Sequence, residues 1–227
     1  GVIGSEKVDD LKDLTLEKLY IDIGAASEAE AKTKVGVGEI AAFDRDFADL
    51  GQRVVAKALD NRAGCAVLIE ALKRVEKPQN DLYCTFTVQE EVGLRGARTS
   101  AFGIEPDLGI ALDVTGTGDT PEAPKLAMKL GGGAAIKIKD SYLITHPLVK
   151  DLLTELAEQH GIPYQYEVLP FGGTDAGAIH LTKAGIPSGV ISIPCRYLHS
   201  PSEMLDLNDL EAAVRLVVAT MEHPITL

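Results

Sequence analysis

The sequence predicts an α/β layered domain, with a mixed, largely parallel sheet carrying helices on both faces, and three observations point to it. From Val54 onward, short runs rich in β-branched and aromatic residues alternate with helix-length stretches whose apolar positions recur at helical spacing. Proline or glycine stands at the joints, as at Pro78, Gly161 and Gly185. The 227 residues are 45% hydrophobic and 25% charged, a globular balance in a chain long enough for one full domain. Right-handed crossovers then place helices on both faces of the sheet.

The elements follow in order. Residues 1–50 differ from the rest: strand-like pieces at 19–23 and 35–42 flank an alanine- and glutamate-rich stretch, 27–34, that suits one short helix. They read as part of a small β-rich subdomain. The opening Gly1-Val2-Ile3-Gly4-Ser5 reads as a strand end already under way, so the sequence is expected to be the later part of a longer polypeptide. The second domain, 51–227, opens with a strand at 54–59. A helix at 62–75 follows, with Cys65, Leu68, Ile69, Leu72 and Val75 on one face. Strands are expected at 82–88, 108–114 and 134–138. His146-Pro147 opens a helix that ends near Gly161. A strand at 164–169, a helix at 176–184 closed by Gly185, a strand at 189–193 and an amphipathic helix at 207–221 complete the chain.

Composition excludes several function classes. Lys and Arg number 22 against 34 Asp and Glu, a net charge of −12. No basic stripe offers itself to a phosphate backbone, and an anionic membrane would repel the chain. Neither nucleic acid nor membrane is an expected partner. Trp is absent and aromatics are 5%, which leaves little for a base-stacking platform. Cys65, Cys84 and Cys195 are odd in number and widely spaced, so a disulfide scaffold is not expected and a reducing cytoplasm is.

The chemistry gathers where the strands end. After 54–59 comes Asp60-Asn61-Arg62, and after 82–88 comes Gln89-Glu90-Glu91. The strand at 108–114 carries Asp113, that at 164–169 leads into Phe171-Gly172-Gly173-Thr174-Asp175, and that at 189–193 precedes Tyr197-Leu198-His199-Ser200. Open α/β sheets bind ligands at the carboxyl ends of their strands. Carboxylates pressed together repel one another, and one or two divalent cations relieve the conflict. Carboxylates with an imidazole and no thiolate suit Zn²⁺, Co²⁺ or Mn²⁺. Two such ions, about 3.5–4 Å apart, could clamp one water, and of Glu90 and Glu91 one can ligate while the other moves a proton. Each residue alone has an ordinary reading: Asp60 as a helix cap, the Glu pair as solvated surface, His199 as a polar side chain. The coincidence at five strand ends carries the argument. His146, His160 and His223 border helices or the terminus and keep the ordinary reading.

The segments 57–62, 88–97 (Val-Gln-Glu-Glu-Val-Gly-Leu-Arg-Gly-Ala), 112–115, 172–177 and 196–200 resemble, in order, the M42 family of metallo-aminopeptidases. Among these the tetrahedral (TET) aminopeptidases, some labelled endoglucanases, are most similar. The opening 1–5 and 20–25 match as well, and in that family belong to an inserted dimerisation domain. The resemblance implies a zinc-peptidase-like (phosphorylase/hydrolase-like) fold and hydrolysis of N-terminal residues from short peptides. It implies two divalent metal ions, Zn or Co, bridged by Asp60. Glu91 and His199 hold one ion, Asp113 holds the other, and Glu90 is the general base. Gly173, Thr174 and Asp175 line the substrate pocket. Self-association into dimers and a dodecamer is implied too. The upstream His motif of the family has no counterpart, since no His precedes His146. This chain as given is therefore expected to hold one ion tightly. The alternatives are a metal-dependent deacylase on the same scaffold and an inactive scaffold subunit.

Overall fold

The structure, a computed structural model, describes residues 1–226. It forms two compact units, Gly1–Phe43 and a second beginning at Asp44, so residues 44–50 fold with the second unit. In the first, β1 (Val2–Ser5) and β2 (Leu19–Asp22) pair antiparallel, Val2 opposite Asp22 and Ser5 opposite Leu19. Helix α1 (Glu28–Lys34) starts where the Ser27 hydroxyl accepts from Glu30 N at 3.2 Å, while Glu30 accepts in turn from Ala26 N at 2.9 Å. The strand expected at 35–42 is not formed: Gly38 turns the chain at φ +91° and breaks the run. No residue of this unit is fully buried, and a two-stranded sheet is marginal by itself.

The second unit contains β3 (Ala48–Asp49), β4 (Arg53–Ala56), α2 (Leu59–Arg74), α3 (Arg95–Ile104), β5 (Gly109–Gly116), β6 (Ala134–Lys139), α4 (Pro147–Gln159), β7 (Tyr164–Val168), α5 (Ala176–Ile179), β8 (Ser188–Arg196), β9 (Glu203–Asp206) and α6 (Leu207–Glu222). Among the described residues they build one seven-stranded mixed sheet in the order β3-β4-β9-β8-β6-β7, with β5 also on β8. Pairing is parallel at β5–β8 and β6–β7 and antiparallel elsewhere. Alternate residues of β8 point to opposite faces. Ile191, Ile193 and Cys195 enter the main core with Val67 of α2, Leu153 of α4 and Leu216 of α6. Val190 joins Ala111 and Ala176 of α5 in a smaller cluster, so helices cover both faces.

Three expectations need correction. The strand expected at 54–59 stops at Ala56, because Ala58 takes a left-handed φ of +55° and Leu59 already opens α2. The helix expected at 176–184 is regular only to Ile179, beyond which turns run to Gly185 at φ +103°. Residues 82–88 form no strand: residues 82–87 make no main-chain hydrogen bond, and Val88 O accepts only from Gly96 N, at 2.9 Å. Helix α3, with Gly96 and Gly103 in a polar sequence, and the four-residue β9 escaped the pattern reading.

Candidate metal centre

Three loops meet at the sheet's edge, and a buried acid ties two of them. Glu203, 2% exposed, accepts from Asp60 N through Oε2 and from His199 N through Oε1, each at 3.0 Å. Both ends of this carboxylate are spent on main-chain donors, so it orients Asp60 and His199. Sequence reasoning missed it. The available signal was a Glu four residues after His199 at the mouth of a strand. Asn61 ties the third element: its Nδ2 donates to Leu112 O of β5 at 2.7 Å and its Oδ1 accepts from Gly64 N at 2.8 Å. A Cβ on Gly64 would come within 2.4 Å of Asn61 Oδ1 and 2.8 Å of Leu112 O, so only glycine fits there. The Asp60–Asn61 peptide bond is cis. Glu90 begins a tight turn, its carbonyl accepting from Gly93 N at 3.0 Å and Leu94 N at 2.9 Å.

Asp60, Glu91 and His199 present one ligand atom each, all within 4.8 Å of one another. His199 Nε2 lies 3.2 Å from Asp60 Oδ2 and 3.6 Å from Glu91 Oε1. Asp113 stands outside this group, yet it feels the charges of Asp60 and Glu90 and lines the same cavity. Burial, with the negative charge of Glu91, raises the Asp60 pKa to about 6. Burial, helped by the charges of Asp175, Glu91 and Asp60, raises Glu90 to about 7. Asp113 is pushed well above the ordinary carboxylate range by burial and then by Asp60 and Glu90. Acids that resist ionisation because they are buried and, secondarily, because they sit beside other acids, next to an accessible imidazole, form a donor set that fits a divalent cation.

Of the remaining expected residues, Asp175 lines the cavity, where one oxygen accepts from Thr87 Oγ1 at 2.5 Å and the other is buried without a partner. Burial raises its pKa. Thr174 is 1% exposed, and Gly173 packs so closely on Tyr142 that a Cβ would lie 2.2 Å from the ring. The cavity, about 850 Å³, extends from Asp60 and Glu90 along β5 and between α2 and α3.

A second polar cluster, also missed in the sequence, underlies β5. Lys137, 1% exposed, places Nζ 2.9 Å from Glu167 and 3.2 Å from Asp140. These are ion-pair contacts without well-angled hydrogen bonds. Glu167 also accepts from Thr115 at 2.8 Å and Ser192 at 2.6 Å. Nothing in the linear pattern marks Lys137 as buried; its strand simply alternates apolar and polar.

Comparison with known proteins gives the same direction. A family-wide sequence profile described as M42 glutamyl aminopeptidase matches residues 1–216. A provisionally named aminopeptidase of Acetivibrio thermocellus is 54% identical over 222 residues, covering 96% of this chain and 67% of its own length. Among solved structures, aminopeptidase APDkam598 from the archaeon Desulfurococcus kamchatkensis superposes with a TM-score of 0.94 at 47% identity, covering 98% of this chain and 64% of its own. The PhTET1 structure, solved with a dodecamer in the asymmetric unit, has a TM-score of 0.82 at 36% identity, with coverages of 89% and 61%. The chain thus spans 61–67% of the length of these relatives. With the profile running from Gly1 into α6 and the Asp60, Glu90-Glu91, Asp113 and His199 loops inside it, this chain belongs to the M42 family of peptidases.

Proposed function

We propose that these residues form the catalytic body of a metal-dependent aminopeptidase that removes N-terminal residues from short peptides. The observation that carries the reading is the convergence of Asp60, Glu91 and His199 ligand atoms within 4.8 Å beside the half-buried acid Glu90. Asp60, Glu91 and His199 would hold one divalent cation, zinc or cobalt, and Asp113 with Asp60 would hold a second. When bound, such ions polarise a carbonyl and acidify water.

The chain's own groups do the rest. Glu90 is the general base and then the acid toward the leaving amine, a role suited to a carboxyl that titrates at about 7 and therefore exchanges protons near neutrality. Glu203 fixes the main chain of Asp60 and His199, and Asn61 fixes Asp60 against β5. Asp175, with Gly173 and Thr174 beside it, bounds the substrate end of the pocket. The first unit carries Val2, Ile3, Leu16 and Tyr20 exposed, at 72%, 53%, 81% and 55%, which supports a role in self-association to dimers and a dodecamer. A cytoplasmic setting accords with three free cysteines, and no helix among the described residues is long and apolar enough to cross a membrane.

The test is Glu90→Gln in the full gene product. Turnover of aminoacyl amides should drop by about 10²–10⁴ while metal content, measured after dialysis, stays at the wild-type value. A variant with near-normal turnover removes Glu90 from the reaction, and cleavage of acylated amino acids but not of free-amine substrates would favour a deacylase.

A further inference from the structure

The turn that carries Glu90 and Glu91 leans on one short helix. Val88 O and Gln89 O accept from Gly96 N and Arg95 N of α3, and Glu90 O closes the turn with Gly93 N and Leu94 N. Those bonds are all local. Among the described residues, one hydrogen bond joins 82–90 to a residue beyond α3, and it runs from Thr87 Oγ1 to Asp175 Oδ2 at 2.5 Å. Thr87 lies three residues before Glu90. At the far end of the turn, Leu94 lies against Gly177, where a Cβ would come within 3.2 Å of Leu94 Cδ1 and 2.7 Å of Tyr142 Cβ. Both ends of the turn thus meet α5, one at its N-cap and the other in its first turn.

Helix α5 is a firm support. Its Ala176, Gly177 and Ala178 are buried, and Ala176 packs with Ala111 of β5 and Val190 of β8. Asp113 stands two residues beyond Ala111, on the same face of β5. One platform therefore backs both the strand that carries Asp113 and the turn that carries Glu90. The Asp175 carboxylate has little left for a ligand, since Oδ2 accepts from the Thr87 hydroxyl and Oδ1 is buried. After burial itself, the charge of Asp175 is the largest influence raising the Glu90 pKa, which places the two carboxyls close together. An acid this near the reacting groups, with one oxygen bonded inward and the other out of reach of solvent, is built to hold the turn and not to meet a peptide.

We infer that Thr87 and Asp175 are positioning residues: their hydrogen bond fixes the Glu90 turn on α5 and so sets where the Glu90 carboxylate stands relative to Asp60, Glu91 and His199. The inference rests on the reading of Glu90 as the general base, and adds two residues that act through it. A hydroxyl bonded to a carboxylate suits the task, because charge-assisted bonds are short and well directed. A displacement of the base by about 1 Å is enough to cost about 10²-fold in rate.

The experiment uses the full gene product and compares Thr87→Val, which keeps the shape and loses the donor, with Thr87→Ser, which keeps the donor. On aminoacyl amides, Thr87→Val should lose about 10–10²-fold in kcat at unchanged KM and unchanged metal content, and Thr87→Ser should return to within about threefold of wild type. Hydrogen exchange on metal-free protein gives an answer that needs no activity. The Gly93 and Leu94 amides, which close the turn, should exchange about tenfold faster in Thr87→Val and at the wild-type rate in Thr87→Ser. In Thr87→Val with Asp175→Leu neither partner is left bare, so the urea midpoint should return toward wild type while the loss in kcat persists. A rise in KM with kcat unchanged would make Asp175 a substrate contact and overturn the inference. So would wild-type exchange at Gly93 and Leu94 in Thr87→Val, or a rate loss that disappears with the recovered midpoint of the double variant. A wild-type protein inert toward every aminoacyl amide would sink the peptidase reading, and the exchange comparison alone would then decide whether this bond holds the turn.

Discussion

Two groups of acids are buried along the same sheet, and they are built in opposite ways. Around Glu167 the charges are matched by the protein itself: Lys137 supplies a cation 2.9 Å from Glu167 and 3.2 Å from Asp140, and Thr115 and Ser192 supply hydroxyls to Glu167. Asp140 Oδ1 accepts from Tyr142 N and Leu143 N at 2.8 Å each, while Asp140 Oδ2 has the ion pair alone. Burial alone would depress the Lys137 ammonium, but the charges of Glu167 and Asp140 outweigh it and its pKa stands above the ordinary value. Around Asp60, Glu90 and Asp113 no lysine or arginine forms a salt bridge among the described residues, and burial raises all three pKa values, with Glu91 adding to Asp60, Asp175, Glu91 and Asp60 adding to Glu90, and Asp60 and Glu90 adding to Asp113. In the first cluster folding supplies the opposite charge; in the second it leaves the acids' repulsion without a lysine or arginine to offset it. Perturbed acids that folding leaves unmatched belong to function, whereas a matched buried pair belongs to the architecture.

Breaking the matched cluster should give the largest effect on stability. Lys137→Met removes the one cation that faces Glu167 and Asp140 among the described residues and strands their charge in the core. The expected cost is about 3–5 kcal/mol, read as a drop in the urea midpoint. A variant as stable as the wild type would show that water or protonation already serves this cluster. The double variant Lys137→Met with Glu167→Gln should recover part of the loss.

Loosening the frame of the unmatched cluster comes next. In Glu203→Gln the side-chain oxygen can accept from only one of Asp60 N and His199 N, and the amide group points donors at the other. Metal affinity should fall by about 10–100-fold, since residues that orient ligands carry that much. Competition with a metal-sensing dye measures it. Unchanged affinity would mean that the Asp60 and His199 loops hold their shape without this carboxylate.

Titration sharpens the contrast further. Asp60 and Glu90 keep their protons to about pH 6 and 7 in the folded protein, against ordinary values of 3.8 and 4.5. The folded state therefore binds more protons than the unfolded one across that window, and metal-free stability should decline as pH rises from about 4 to about 7. Lys137, whose pKa is raised, contributes stability that is lost only as pH climbs through that raised value, far above this window. Denaturation in chelator at several pH values, repeated with added zinc, should show the decline only without metal. A flat chelated profile would remove the repulsion argument.

Much of this was legible in the sequence because two signals are local. Alternation and helical spacing fixed most strands and helices, and short loops with Asp60, Glu90-Glu91, Asp113 and His199 stood directly after them. What escaped was non-local. Lys137, Glu167 and Ser192 reveal their partnership only when β6, β7 and β8 lie side by side, and Glu203 acquires its role only through two amides that the fold delivers to it. Residues 82–88 carry the composition of a strand, yet composition cannot supply the neighbour that a ladder requires. The turn at Gly38 likewise overrode the strand-like run at 35–42.

The smallest expected effect belongs to a third setting, an acid paired at the surface. Glu211 of α6 accepts from Arg74 of α2 at 2.6 Å, a shorter contact than Lys137 makes to Glu167. Distance alone would rank it the stronger. Both side chains are, however, 41–48% exposed, so water already solvates them, salt screens them, and Arg74 retains Glu70 at 3.0 Å when Glu211 is removed. Glu211→Gln should therefore leave the urea midpoint within the scatter of replicate measurements, with or without added salt. A shift approaching a third of that caused by Lys137→Met would show that short contact outweighs burial here, and the distinction between the matched and unmatched clusters would then have to rest on geometry instead of solvation.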